Sequence, residues 1–237
     1  MATADAADAY EMHGKRVVFG DGNRKFWSPV FEHNPKIAKD PEPDEIVCWV
    51  PNYIGHRPYI TEIGETHFKV REDFRVKPGE IYLTDEERRW AEKHKDFILI
   101  EPNVKDWSIG FNKAWPYKYW KELIKADYPF LQIGTGWMLD CDYCYTPTFR
   151  HALALMERAA LVITTDGGLH HAAGAMNIPA VVLWGGLVSP KILGYQSHIN
   201  LCKAKSFCGS VLNCEHCKKA MESIRPEEVL SILKRLL

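Results

Sequence analysis

The stretch Leu161-Val-Ile-Thr-Thr-Asp-Gly-Gly-Leu-His-His-Ala-Ala-Gly-Ala-Met176, continued by Pro179-Ala-Val-Val-Leu-Trp-Gly-Gly186, decides how this chain is read. The apolar, β-branched run Leu161 to Thr164 predicts a buried strand. Asp166 is then expected as a helix N-cap. Leu169, Ala172, Ala173 and Met176 follow at the i, i+3, i+4, i+7 spacing of a buried helical stripe. Gly167 and Gly168 fall in the first turn, where backbone N–H groups lack intrahelical partners. Such a turn accepts phosphate, because free donors and the positive end of the helix dipole point the same way. Asp166, His170 and His171 stand beside it, able to meet hydroxyls or charge.

Outward from this unit, strands and helices alternate. Residues 2–13 read as a short helix ended by Gly14, Arg16–Phe19 and Ile46–Val50 as strands, and 36–45 as a charged, Pro-rich loop. Thr84-Asp-Glu-Glu87 is a capping box opening a helix to about Lys95. Strands are expected at Phe97–Ile100, Phe130–Ile133 and Ala180–Trp184, and helices at Pro116–Ala126, at Thr148–Ala159 and from Pro226. Such alternation predicts a parallel sheet covered by helices, with ligands at the carboxyl ends of the strands. Glu101-Pro-Asn103, Gly134-Thr-Gly136, Asp166-Gly-Gly168 and Gly185-Gly186 all fall there. Residues 97–237 therefore read as a nucleotide-binding domain and 1–96 as a smaller, less regular partner.

Composition excludes some functions. The 237 residues are 46% hydrophobic and 26% charged, with a formal net charge of −1, which argues against a broad basic surface. No apolar run approaches the ~20 residues needed to cross a bilayer. The N-terminus lacks the basic flank and apolar core of a signal peptide, and the seven cysteines are an odd number. Together these features predict a reducing, cytoplasmic setting.

A second phosphate-type element is Asn112-Lys-Ala-Trp-Pro116, which places Lys113 just before a helix. Lys113-Ala-Trp-Pro116, Asp166-Gly-Gly-Leu-His-His171, Ile178-Pro-Ala-Val-Val and Gly185-Gly186 together resemble the C-terminal domain of the family 9 glycosyltransferases, heptosyltransferase-like enzymes. The resemblance covers about 97–237 and continues weakly through Val17–Ile37, where Asn34-Pro35 is similar to a recurring pair. It implies a GT-B-like α/β fold, with two Rossmann-like parallel-sheet domains facing a cleft and the N-terminal one reduced here to a short form. It also implies transfer of a sugar, hexosyl or heptosyl, from a nucleotide-diphosphate sugar to a saccharide-type acceptor, with inversion and without a catalytic metal. Carried over, Lys113 meets donor phosphate, and Gly167, Gly168 and Leu169 present amides to the diphosphate. Asp166 holds sugar hydroxyls or caps the helix, His171 supports that loop, and Gly134 and Gly136 leave room for the base and ribose; Asn103 is a further donor-binding candidate.

Departures from the family pattern affect the mechanism. The N-terminal Gly-Asp loop, whose Asp deprotonates the acceptor in relatives, has no clear counterpart here. Nor is there an acid at the ribose position after the Gly134 strand, which reads Trp137-Met138, with Asp140 further on. The candidate bases are Asp21, in the Gly20-Asp-Gly22 turn, and His56, in Tyr53-Ile-Gly-His-Arg-Pro-Tyr59. A plain turn aspartate and a stacked loop histidine are the ordinary readings of the same residues.

Cys202, Cys208, Cys214 and Cys217 are candidates for a structural zinc site, with reduced buried thiols as the alternative. Cys141-x-x-Cys144 is expected in a loop, without a redox role. Two further functional readings stay open. One is a phage-type transferase acting on a modified DNA base, which needs a basic groove near Lys15, Arg16, Arg24 and Lys25. The other is a nucleotide-sugar-binding protein that is catalytically degenerate or dependent on a partner chain.

Overall fold

Gly14 adopts the left-handed conformation (φ 63°) and returns its N–H to Tyr10 O, which ends helix α1 (Ala2–His13) where the sequence places the stop. Strand β1 (Val17–Phe19) follows, then a 3-10 turn (Pro29–Phe31) and strand β2 (Cys48–Val50), which pairs with β1 in parallel. Ala6, Val17, Phe19, Phe31 and Ile37 form a small core in which Phe19 stacks on Phe31 at 4.5 Å. The computed structural model describes residues 1–51, 57–104, 108–134, 136 and 138–237. Strands β3 (Ile60–Ile63) and β4 (Phe68–Val70) then form an antiparallel hairpin that the residue pattern does not announce. Helix α2 (Asp85–Ala91) carries the predicted capping box, with Thr84 and Glu87 each bonding the other's backbone N–H. It stops short of Lys95, turning off through His94 N–H to Ala91 O.

The remaining elements build one six-stranded sheet. They run β5 (Ile98–Ile100), a 3-10 segment (Ser108–Lys113), α3 (Tyr117–Leu123), β6 (Phe130–Gln132), β7 (Asp142–Tyr143), α4 (Phe149–Arg158), β8 (Leu161–Thr165) and α5 (Gly168–Ala175). Then come β9 (Ala180–Trp184), α6 (Pro190–Leu193), β10 (Ile199–Cys202), α7 (Glu215–Glu222) and α8 (Pro226–Leu236). The strand order is β10-β9-β8-β5-β6-β7, and every pairing is parallel. The chain thus winds outward from β5 to β7, returns to the centre at β8 and winds outward the other way. This is a doubly wound Rossmann arrangement whose direction reverses between β5 and β8.

The buried strands alternate faces as period two requires. Leu99, Val162, Val182 and Trp184 point into one core, while Ile98, Ile100, Ile163, Val181 and Leu183 point into the other. In the second core Trp115 is buried against Trp120 and donates its indole N–H to Ile224 O, anchoring the turn that carries Lys113.

Tyr59, Phe68, Leu83 and Ala91 belong to the first of these large cores rather than to the small N-terminal one. The hairpin is tied down by Phe68 N–H to Gly209 O and Val211 N–H to Thr66 O, both 2.8 Å. Arg150 on α4 is buried and donates to Pro29 O, Tyr82 O and the Glu87 carboxylate, joining the N-terminal segment to the sheet. Among the described residues no helix is long and apolar enough to cross a membrane.

Candidate functional site

A cavity of about 730 Å3 opens where β5 and β8 end, at the reversal point of the sheet. Glu101 and Asn103 reach it from β5, Thr165 and Asp166 from β8, and Lys113 from the 3-10 segment. Arg57, Tyr59, Ile60 and Phe68 line it from the hairpin side. This is the crevice in which open α/β sheets bind their ligands.

Asp166 does not cap α5. The N-cap is Gly167, in extended backbone, while Asp166 Oδ2 lies 2.9 Å from Lys113 Nζ. The correction has a simple cause: a carboxylate only 6% exposed gains more from a cation than from one amide. Burial pushes the Asp166 carboxyl up, but the Lys113 charge prevails and holds it below the ordinary range. Among the described residues no side-chain oxygen caps the amide end of α5, where His170 takes Gly167 N–H, so the next amides are those an anion site would use. A Cβ added at Gly167 or Gly168 would meet nothing nearer than 3.8 Å, so the protein's own packing does not demand glycine at either position.

Support of this loop falls to His170 rather than to His171. His170 is fully buried, and burial lowers its pKa, which keeps the ring neutral. Its Nε2–H donates to Leu193 O at 3.0 Å and its Nδ1 accepts from Gly167 N–H at 3.2 Å, one tautomer satisfying both bonds. His171 lines the cavity, and its Nδ1 accepts from the Tyr195 hydroxyl at 3.0 Å. Burial holds it well below the usual imidazole range.

Glu101, in the Glu101-Pro-Asn103 segment expected at the ligand end of the sheet, is a cavity residue beyond the candidates named from the sequence. Its Oε1 accepts Asn103 N–H at 2.7 Å and Asn103 Nδ2–H at 2.9 Å. Burial pushes its pKa up to about 7, against the lowering effect of those two bonds. Gly134 and Gly136 have φ of 89° and 111° and lie directly beneath this pair. A Cβ at Gly134 would fall 1.5 Å from Glu101 Oε2, and one at Gly136 would fall 2.9 Å from Asn103 Oδ1. The sequence signal was available in an acid placed directly after the apolar run Phe97–Ile100.

The structure does not bring Asp21 to the cavity. It is exposed, its Oδ1 accepts the N–H groups of Asn23 and Arg24, and these bonds lower its pKa. His56 lies outside the described residues. Of the four N-terminal cations, Arg16 is paired with Glu45 and Lys25 with Asp40.

The cysteine set also needs correction. Cys208, Cys214, Cys217 and His216 have ligand atoms within 4.8 Å of one another, with Sγ–Sγ separations of 3.3 Å (Cys208–Cys217) and 3.8 Å (Cys208–Cys214). Thiolates ~2.3 Å from a tetrahedral Zn2+ stand a little under 4 Å apart, so the donors fit. Cys202 is not in the group; it sits on β10, paired with Trp184 of β9. Asp166, His170 and His171 also converge, but Lys113 occupies the carboxylate and both His170 nitrogens are bonded, so that trio does not suit a metal. Cys141 and Cys144 flank β7, a short edge strand rather than a loop.

Residues 145–225, which include the Asp166–His171 element and the Cys/His cluster, match the family model "Glycosyltransferase family 9 (heptosyltransferase)". That match covers about a third of the chain. Two solved structures share the fold. E. coli ADP-heptose LPS heptosyltransferase II superposes with a TM-score of 0.51 at 19% identity, over 67% of this chain and 53% of that one. The family 9 glycosyltransferase of Veillonella parvula DSM 2008 gives 0.52 at 18%, over 68% and 54%. The chain therefore spans about half the length of each. No curated protein matches it by sequence. The likeness shows a GT-B-like α/β fold, in which β1 and β2 form a separate two-stranded parallel sheet among the described residues. Lys113 and Glu101 precede the matched segment and share a cavity with its glycine turn only in three dimensions.

Proposed function

We propose that the chain is a glycosyltransferase that takes a sugar from a nucleoside diphosphate sugar and passes it to a saccharide hydroxyl. The observation that supports this best is Lys113 poised beside the uncapped amide end of α5 in the β5/β8 crevice. Lys113 and Arg57 supply positive charge to a diphosphate, and the N–H groups of Gly168 and Leu169 supply directed donors, Gly167 N–H being held by His170 Nδ1. Charge grows on the diphosphate as the anomeric bond breaks, so donors fixed in advance act where the transition state needs them. Cation and amides perform that task in the reading adopted here, without a catalytic metal. Asp166 then faces sugar hydroxyls from beside Lys113.

The donor belongs to 97–237 in this reading, and the acceptor to the side lined by Arg57, Tyr59 and Ile60, at the edge of 1–96. Direct displacement by the acceptor hydroxyl inverts the anomeric carbon and requires a base. His56 is our assignment, being next in the chain to cavity-lining Arg57, whereas Asp21 is spent on its own turn. An ADP-linked heptose heads the donors to try, because the E. coli relative is named for it. A saccharide acceptor is preferred to DNA because carboxylates already neutralise Arg16 and Lys25. Cys208, Cys214, His216 and Cys217 are assigned to a structural Zn2+ that ties the 208–214 loop to α7.

A thermal-shift screen with ADP-, GDP-, UDP- and CMP-linked sugars tests the reading. A native-state ligand at 100-fold over its Kd adds about 2.7 kcal/mol. One stabilising donor, hydrolysed or transferred on incubation with saccharide acceptors, is the expected result. No stabilisation by any of them overturns it.

A further inference from the structure

Two glycines at the end of β6 are shaped by side chains from the end of β5. Gly134 and Gly136 both adopt positive φ, and the space a side chain would fill above them is taken by Glu101 and Asn103. Asn103 grips Oε1 of Glu101 with both its backbone and its amide N–H. Oε2 has no hydrogen bond among the described residues, lies above Gly134 and belongs to a residue of the cavity wall. A carboxylate with one oxygen clamped and the other free in a crevice is prepared to accept from hydroxyl donors.

Its place along the sheet says which hydroxyls. The diphosphate assigned above sits at the end of β8, over the terminus of α5. Glu101 starts one strand further, at β5, and leans over β6, so it lies between ~5 and ~10 Å along the sheet from that terminus. This is the reach of a ribose attached to the diphosphate. In doubly wound folds the ribose diol is taken by an acid near the end of the second strand. Here β6 holds that place, and its end carries glycines instead of an acid.

Resting on the nucleotide-sugar reading, we infer that Glu101 is the ribose-binding carboxylate of this chain, reaching from β5 across Gly134 to accept the 2′ and 3′ hydroxyls of the donor nucleotide. Gly134 is glycine so that the carboxylate can lie there, and Asn103 fixes its rotamer. Chemistry at this position selects ribonucleotides over deoxyribonucleotides and is indifferent to the sugar being transferred.

The test is calorimetric binding of ADP, GDP and UDP, and of the 2′,3′-dideoxy form of whichever binds, to the full chain and to Glu101→Gln. Wild type is expected to prefer the ribonucleotide by at least tenfold, and Glu101→Gln to bind both forms equally, with its melting temperature near wild type. Gly134→Ala, whose methyl displaces the carboxylate, should lose the same preference. Lys113→Ala should weaken both nucleotides while keeping the preference. Retained discrimination in both Glu101→Gln and Gly134→Ala overturns the assignment of Glu101 and leaves the donor reading standing. Absence of binding by any nucleoside diphosphate to wild type overturns both.

Discussion

Lys113 Nζ and Asp166 Oδ2 meet at 2.9 Å across the point where the sheet reverses its winding, one arriving from the 3-10 segment after β5 and the other from the end of β8. Lys113 is the cation that keeps a buried carboxylate ionised, and it is also the group offered to phosphate. Lys113→Met is therefore expected to destabilise the fold by about 3 kcal/mol, since an unpaired buried charge remains. Adding Asp166→Asn should restore most of that stability. Donor affinity should not return in the double variant. Urea melts and donor titrations on the two single variants and the pair separate the roles; recovery of affinity in the pair would show that Lys113 acts only on the fold.

Gly167→Ala and Gly168→Ala provide the converse case. Neither added methyl meets protein atoms closer than 3.8 Å, so stability should stay within ~0.5 kcal/mol of wild type. Donor binding should fall at least tenfold if the diphosphate needs close approach to these amides. Equal donor affinity in both variants would remove the ligand from this turn.

Arg150 and Glu87 predict the acid limb of stability. The bond from Arg150 is the largest cause holding Glu87 at about 2, against 4.5 for an ordinary glutamate. The folded-state value is depressed, so the pair stabilises fully above pH 4.5 and loses its contribution as pH falls toward 2. The loss is of order 3 kcal/mol. Arg150→Met should cost about that much at pH 7 and shallow the decline between pH 4.5 and 2. Denaturant melts at stepped pH read both effects.

Metal content distinguishes the two cysteine sets. Purified protein is expected to carry about one Zn2+ per chain, retained in Cys202→Ser and lost in Cys208→Ser or His216→Ala. The melting temperature should drop with the metal, because a closed structural site contributes directly to folding. Loss of metal in Cys202→Ser but not in His216→Ala would restore the grouping read from cysteine spacing alone.

Much of this architecture was legible in the residue pattern. Phe97–Ile100, Leu161–Thr164 and Ala180–Trp184 are runs apolar enough to be buried on both faces, and such runs form central parallel strands. Gly14, Thr84, Thr148 and Pro226 mark helix ends by local chemistry that needs no partner. The β3–β4 hairpin was missed because its burial is one-sided and is completed by Gly209 and Val211. Strands β7 and β10 lie at the two edges of the sheet, where short pairing suffices and sequence signal is weak.

The sequence by itself determined a parallel sheet covered by helices, the glycine turn at the head of α5 and the presence of a lysine element before α3. Those features depend on backbone hydrogen bonding and burial within about ten residues, which local periodicity records. Only the tertiary structure decided that Asp166 faces Lys113 instead of capping its helix, and that Glu101 lies over Gly134. It also decided that His216 replaces Cys202 beside the other thiols, and that Asp21 stays in its turn. The first two pairings join loops that strand order brings together, and the energy of a buried charge or a shared ligand shell depends on ångström distances that spacing along the chain does not encode.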